Sequence, residues 1–95
     1  MQPKPVADYN VTGTLTPDAT CNYYVAGTYG GKPYYRREDG AWFIWWSIGL
    51  LVWTITGALG DLSGPGWRRE DPEIAGAYGP GDDATGTATV SAGAH

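Results

Sequence analysis

Residues 41–59, AWFIWWSIGLLVWTITGAL, run for nineteen positions without a charge, and any fold of this 95-residue chain has to place them first. They include Trp42, Trp45, Trp46 and Trp53, four of the five tryptophans, and Phe43, the only phenylalanine. As one helix the run is about long enough to cross a bilayer. As two strands turning back at 47–50, it shows Trp42, Ile44 and Trp46 on one face, answered by Leu51, Trp53 and Ile55 on the return. The hairpin is the expectation. Aromatic and β-branched residues suit a pleated sheet, and Thr54 and Thr56 alternate with Trp53 and Ile55. A spanning helix tends to keep tryptophan at its ends, whereas Trp53 would sit near the middle. A small single-pass membrane protein is therefore the weaker alternative.

A chain this short makes one domain that buries only about two thirds of the surface exposed on unfolding. Fifteen glycines, seven prolines and many short apolar runs argue for strands and turns. Seven tyrosines and five tryptophans offset a shortage of aliphatic residues, since each ring buries a large area. A net charge of -4, with basic residues in two separated Arg-Arg pairs, speaks against nucleic acid as a partner. Cys21 is the single cysteine, so no internal disulfide can form. Residues 1–5 lead into no apolar segment of signal-peptide type.

Taken in order, residues 1–5 form a proline-spaced arm. The chain then alternates to residue 16, with Val11, Gly13 and Leu15 on one face and Thr12, Thr14 and Thr16 on the other, ending at the Pro17-Asp18 turn signal. Residues 22–29 make a strand with Tyr23, Val25, Gly27 and Tyr29 on one face. Gly30-Gly31 suits a tight turn, and residues 32–39 return to Asp39-Gly40, which feeds the tryptophan hairpin. Short turns between successive strands predict an antiparallel meander. The expected core is Tyr23, Val25, Trp42, Ile44, Trp46, Trp53 and Ile55. Three segments follow: an arm and Thr-rich strand at 1–16, an aromatic β-domain at 17–78, and a Thr-rich strand and tail at 79–95.

Two echoes run through the chain. YRRED at 35–39 returns as WRRED at 67–71. Such a pair reads either as an anion clamp or, preferably, as charge that keeps sheet rims from sticking. Thr12-Gly13-Thr14-Leu15-Thr16 returns as Thr85-Gly86-Thr87-Ala88-Thr89. Residues 84–91 put Ala84, Gly86, Ala88 and Val90 on one face, small enough for a strand inserted into a groove. Asn10-Val11-Thr12 fits the N-glycosylation pattern, and the rows Thr12/Thr14/Thr16 and Thr85/Thr87/Thr89 are candidates to carry glycans outward.

The stretch 22–60 resembles a small aromatic β-domain of uncharacterised proteins from environmental bacteria and tailed phages. The resemblance rests on Gly31-Lys32-Pro33-Tyr34-Tyr35, Ile44-Trp45-Trp46, Trp53-Thr54-Ile55 and Leu59-Gly60 in that order, with Trp67 and the ATGTATV tail at 84–90. It is also similar, more loosely, to subunits of extracellular fibrils linked through exchanged strands. The resemblance implies no enzymatic activity. At the hairpin turn the family pattern has Asp, Asn or Gly, whereas this chain has Ile48 and Leu50, which a monomer would expose.

The residues themselves give little to an enzyme. His95 is the last residue and Cys21 has no other histidine to activate it. No metal-ligand spacing or phosphate-binding loop appears, and no cofactor is implied. Asp82-Asp83 is a carboxylate pair without a rigidly placed second group. The expected fold is all-β: a small antiparallel meander, sandwich or partly open barrel of about six or seven strands, completed by a terminal strand from a neighbour. The expected function is a self-assembling filament subunit at an extracellular or virion surface, its partners copies of itself. The residues 1–5 spacer points to the N-terminal strand as donor. The expected subunit contacts are Val11, Gly13, Leu15, Ile48, Leu50, Gly86, Ala88 and Val90. A carbohydrate-binding or adhesion module using Tyr23, Tyr24, Tyr34, Tyr35 and the tryptophans as a flat platform is the alternative.

Overall fold

The structure, a computed structural model, describes residues 7–81 and 83–93. The expected arm at 1–5, Asp82 and His95 lie outside the described residues. The chain is all-β, with no helix among the described residues. Eight strands follow one another: β1 (Tyr9–Thr12), β2 (Cys21–Tyr29), β3 (Lys32–Arg37), β4 (Phe43–Ser47), β5 (Val52–Thr56), β6 (Gly66–Arg69), β7 (Gly76–Pro80) and β8 (Ala88–Ala92). Each pairs antiparallel with the next, and β8 returns to pair with β1, so the sheet closes into an up-and-down barrel. This corrects the expectation of a partly open sheet with fewer strands. The last strand of the chain itself fills the place reserved for a neighbour's strand.

The tryptophan run does fold as a hairpin. Ile44 faces Ile55 and Trp46 faces Trp53 across the β4–β5 ladder, with residues 48–51 as the turn. The aromatic side enters the barrel, where Trp42 meets Trp67 edge-on at 5.7 Å and Trp46 meets Trp53 at 5.6 Å. An eight-stranded barrel has an interior just wide enough for side chains to fill. Here Tyr23, Ile44, Ile55, Trp67 and Tyr78 fill it, and the narrow side is completed by Val11, Ala88 and Val90. Large rings on β2 and β4–β7 thus require small residues on β8: Tyr78 sits opposite Ala88, and Gly76 opposite Val90.

The threonine face of β5 is buried as well, which alternation alone does not predict. Trp45 lies on this outer side, donates its indole N–H to Thr56 Oγ1 at 2.8 Å, and is met edge-on by Tyr29 at 5.3 Å. Thr54 Oγ1 donates to the Trp67 carbonyl at 3.1 Å, and Thr56 Oγ1 to that of Ala58 at 2.8 Å. Each hydroxyl therefore keeps a partner away from water, as burial demands.

Val25 is the one expected core residue that the structure places outside, at 56% exposure. The cause is strand length. β1 begins at Tyr9, opposite Tyr23, so β2 outruns its neighbour, and a bulge between Val25 and Gly27 shifts the register with β3. The Val25 N–H is satisfied by the Asp8 carboxylate at 2.8 Å instead of by a ladder. Tyr23, Trp42, Ile44, Trp53 and Ile55 are buried and Trp46 is half-buried against them.

Two buried tyrosines lock loops onto the barrel in the same way. Tyr23 donates its hydroxyl to the Ala19 carbonyl at 2.7 Å, and Tyr78 to that of Ile74 at 2.6 Å. Burial pushes both phenols well above the ordinary value of about 10. A raised folded value means the stabilisation is complete below pH ~10 and is lost as pH rises beyond it, because only the unfolded chain ionises readily. The melting temperature should accordingly fall steeply above pH ~10. Tyr23→Phe with Tyr78→Phe should flatten that slope while lowering stability at neutral pH by about 0.5–1.5 kcal/mol per lost hydrogen bond.

Candidate functional site

Two regions stand out once the barrel is closed: the seam where the chain ends meet, and the turn of the tryptophan hairpin. At the seam, Tyr9 faces Ala92, Val11 faces Val90 and Thr12 faces Thr89. Beyond the strands the two chains stay together, and Thr16 and Thr85 exchange backbone hydrogen bonds at 3.3 and 2.9 Å. The two Thr-Gly-Thr stretches thus lie against each other. That contact is close: a Cβ on Gly13 would meet the Thr87 carbonyl oxygen at 2.5 Å, and one on Gly86 would clash with the Thr14 carbonyl oxygen. Both glycines have positive φ, +130° and +90°, where other residues are strained. Trp67 Nε1 donates to the Gly86 carbonyl at 3.1 Å and fixes the stretch over the core.

The expected subunit contacts divide accordingly. Val11, Leu15, Ala88 and Val90 are buried in this chain's own core, and Gly13 and Gly86 lie in its own seam. Ile48 and Leu50 are exposed, at 59% and 47%, with Leu51 beside them at 65%. Leu51, placed by alternation on the inward face with Trp53 and Ile55, instead closes the turn with φ of +56°. Ile48 rests against the β2–β3 turn, where a Cβ on Gly30 would meet it at 3.0 Å.

Asn10 departs from its expected role as a glycan acceptor. It is buried, and its Nδ2 donates to the Ser91 and Gly93 carbonyls at 3.3 and 3.1 Å. The nitrogen that would carry a sugar is instead a clasp on the C-terminal strand. Thr14, Thr16, Thr85, Thr87 and Thr89 are exposed and Thr12 is partly so.

The two arginine pairs form no common clamp. In an up-and-down barrel alternate connections share an end, so Arg37, closing β3, and Arg69, closing β6, lie at opposite ends. Neither is simple rim charge. Arg37 grips the Asp39 carboxylate with Nε and Nη2 at 2.9 and 2.7 Å, and its Nη1 donates to the Asp18 and Thr20 carbonyls at 2.8 and 3.2 Å. The Arg37 hydrogen bonds, aided by the Ala41 N–H, hold the Asp39 carboxyl at about 2. Arg69 donates to the Glu73 and Ala77 carbonyls at 3.0 and 3.4 Å and lies 3.7 Å from Asp71. Each ties down a loop at its own end. The available signal was the aspartate after each pair, which caps the following turn: Asp39 accepts from Ala41 N–H and Asp71 from Glu73 N–H.

The remaining concavities are shallow. One, of about 300 Å³, is lined by Tyr24, Val25, Ala26, Arg36, Arg37 and Glu38. It continues into a second, of about 370 Å³, that reaches Asp18, Thr20 and the exposed Cys21. Among the described residues no three His, Cys, Asp or Glu side chains converge to hold a metal ion. The aromatic pairs meet edge-on or tilted, at interplanar angles from 48° to 80°. No helix among the described residues is long and apolar enough to cross a membrane. Comparison with protein-family models, with curated proteins and with solved structures found no match to this chain.

Gly13→Ala and Gly86→Ala should each destabilise the barrel by about 1–3 kcal/mol in chemical denaturation. Gly49→Ala, in open space without positive φ, should leave the midpoint in place. Asn10→Ala should cost about 1–3 kcal/mol through the carbonyls left unpaired.

Proposed function

We propose that the protein is a non-enzymatic structural subunit that assembles into a filament by strand exchange at the β1–β8 seam. The observation that carries this reading is the asymmetry of the barrel wall. β8 brings only Ala88 and Val90 inward, whereas most other strands bring tyrosine, tryptophan or isoleucine. Burying the Val90 side chain is worth about 1.5–3 kcal/mol and Ala88 much less, so β8 itself carries less apolar area than the aromatic strands, and withdrawing it costs its ladder hydrogen bonds together with the cover it gives its neighbours. A second copy's β8 restores those same bonds, which makes exchange nearly neutral in energy and dependent on concentration. β1 is a poorer donor, because Ala7, Val11, Leu15 and Ala19 anchor its whole neighbourhood. The C-terminal strand is therefore the proposed donor, in place of the N-terminal one. Donation from each copy to the next propagates a filament where the rotation between copies does not close into a ring. The exposed threonine rows flank this seam and remain available to glycans. The resemblance to bacterial and phage domains is what supports a location outside the cell or on a virion.

Thr12 and Thr89 are directly opposed across the seam, a spacing that suits a disulfide. In a Cys21→Ser, Thr12→Cys, Thr89→Cys variant, oxidation of the dilute monomer should block all dilution-resistant assembly. Oxidation after assembly should instead give a covalent ladder in a non-reducing gel. Filaments from the pre-oxidised protein would reject strand exchange. A reduced protein that stays monomeric at every concentration would reject the filament itself.

A further inference from the structure

The two copies of the Arg-Arg-Glu-Asp motif end differently, and the difference is chemical. Asp71 is followed by Pro72, whose nitrogen carries no proton, whereas Asp39 is followed by Gly40. An aspartate before a glycine is the pair most prone to close on itself, because no side chain shields the glycine nitrogen from the carboxyl carbon. The Gly40 nitrogen attacks Asp39 Cγ, an N–Cγ bond forms, and the amide proton leaves with the carboxyl hydroxyl as water. The product is a cyclic imide, a succinimide. Water then opens it at either carbonyl, giving back aspartate or giving isoaspartate, whose main chain runs through the side-chain carboxyl.

The β3–β4 turn brings the reactants together and bars the simplest protection. Asp39 Oδ1 accepts from the Ala41 N–H at 3.0 Å, so the side chain closes a ring around Gly40. Gly40 has φ of +77°, where a shielding side chain would be strained. The Asp39 side chain is 56% exposed, so water reaches it for the opening step. Arg37, however, engages both reactants at once. Its Nε and Nη2 donate to the two carboxylate oxygens at 2.9 and 2.7 Å, and its carbonyl accepts the Gly40 N–H at 2.8 Å. The carboxyl must be protonated to lose its hydroxyl as water, and the guanidinium fork opposes that proton. The nitrogen must turn toward Cγ, and its N–H is aimed at the Arg37 carbonyl instead. At the other copy of the motif, where Pro72 offers no such nucleophile, Arg69 stands 3.7 Å from the Asp71 carboxylate.

We infer that Asp39-Gly40 is a self-modification site, competent to cyclise to a succinimide and open as isoaspartate, and that Arg37 holds it unreactive by binding both reacting groups. The inference stands independently of strand exchange. Closure would strip Arg37 of its carboxylate bonds, and opening to isoaspartate would add a carbon to the main chain between β3 and β4. Arg37 also holds the Asp18 and Thr20 carbonyls, so the modification would loosen the β1–β2 loop at the same end of the barrel.

The test incubates the full chain at neutral pH in water enriched in heavy oxygen. Each cycle of closure and opening leaves a labelled oxygen at Asp39, read by mass spectrometry of the peptide that spans it, with isoaspartate separated by chromatography. The folded parent should label at least about tenfold more slowly than the same chain in guanidinium chloride. Arg37→Gln, checked for its circular dichroism and melting midpoint, should label at least about tenfold faster than the folded parent. Hydrogen exchange of the Gly40 amide, which reads loop opening separately, should rise by less than the labelling does. Arg37→Lys keeps a charge without the fork, should label at an intermediate rate, and serves where glutamine costs the fold. A folded parent that labels as fast as the unfolded chain would overturn the inference, as would a folded Arg37 variant that labels at the parental rate. Labelling that rises only in proportion to Gly40 exchange would make loop opening, not Arg37's hold on the carboxylate, the controlling step, and would overturn it too.

Discussion

Everything in this barrel depends on the backbone ladder that joins its first strand to its last. Without the β1–β8 pairing, β1 and β8 would each show a row of unpaired N–H and C=O groups, and Val11, Tyr23 and Tyr78 would lose part of their cover. The closure is reinforced by means that need little apolar area. Asn10 clasps two carbonyls of the C-terminal segment, Gly93 N–H donates to the Asp8 carbonyl, and Gly13 and Gly86 let two backbones approach where side chains would collide. The aromatic centre holds most of the largest buried side chains, and the seam closes the sheet around it.

This division of labour is the reason the proposed function is placed at the seam. Strands β4, β5 and β6 are bound by interlocked tryptophans and by hydroxyls buried under Trp45. Opening there would cost several large side chains at once. At β8 the cost falls on hydrogen bonds and on cover for its neighbours, which a second copy can replace in kind. In the proposed exchange a closed monomer and an assembly would differ little in contacts, so that protein concentration would tip the balance.

Much of this was legible in the sequence, for identifiable reasons. The tryptophan hairpin follows from two-residue alternation and from a run too rich in aromatic and β-branched residues for a simple helix. The order of strands follows from Gly30-Gly31 and Asp39-Gly40. Closure was not legible, although both Thr-Gly-Thr stretches were. Alternation shows which face of a strand is buried but does not name its partner, and small inward residues at both ends fit a neighbour's groove as well as the chain's own. Val25 went astray because the pattern continues past the point where β1 stops. Asn10 carries a glycosylation triplet, yet its side chain is spent on the seam. The arginine pairs looked like surface charge because their carbonyl partners lie in loops whose paths only the folded chain defines.

Native-state hydrogen exchange read amide by amide tests the central claim most directly, since it measures where a closed barrel opens first. Amides of Thr89, Val90 and Ser91 should exchange through a partial opening of markedly lower free energy than those of Trp53, Thr54 and Ile55, which should await global unfolding. Equal protection of β8 and β5 would show that the seam opens no more readily than the aromatic centre, and would contradict the account.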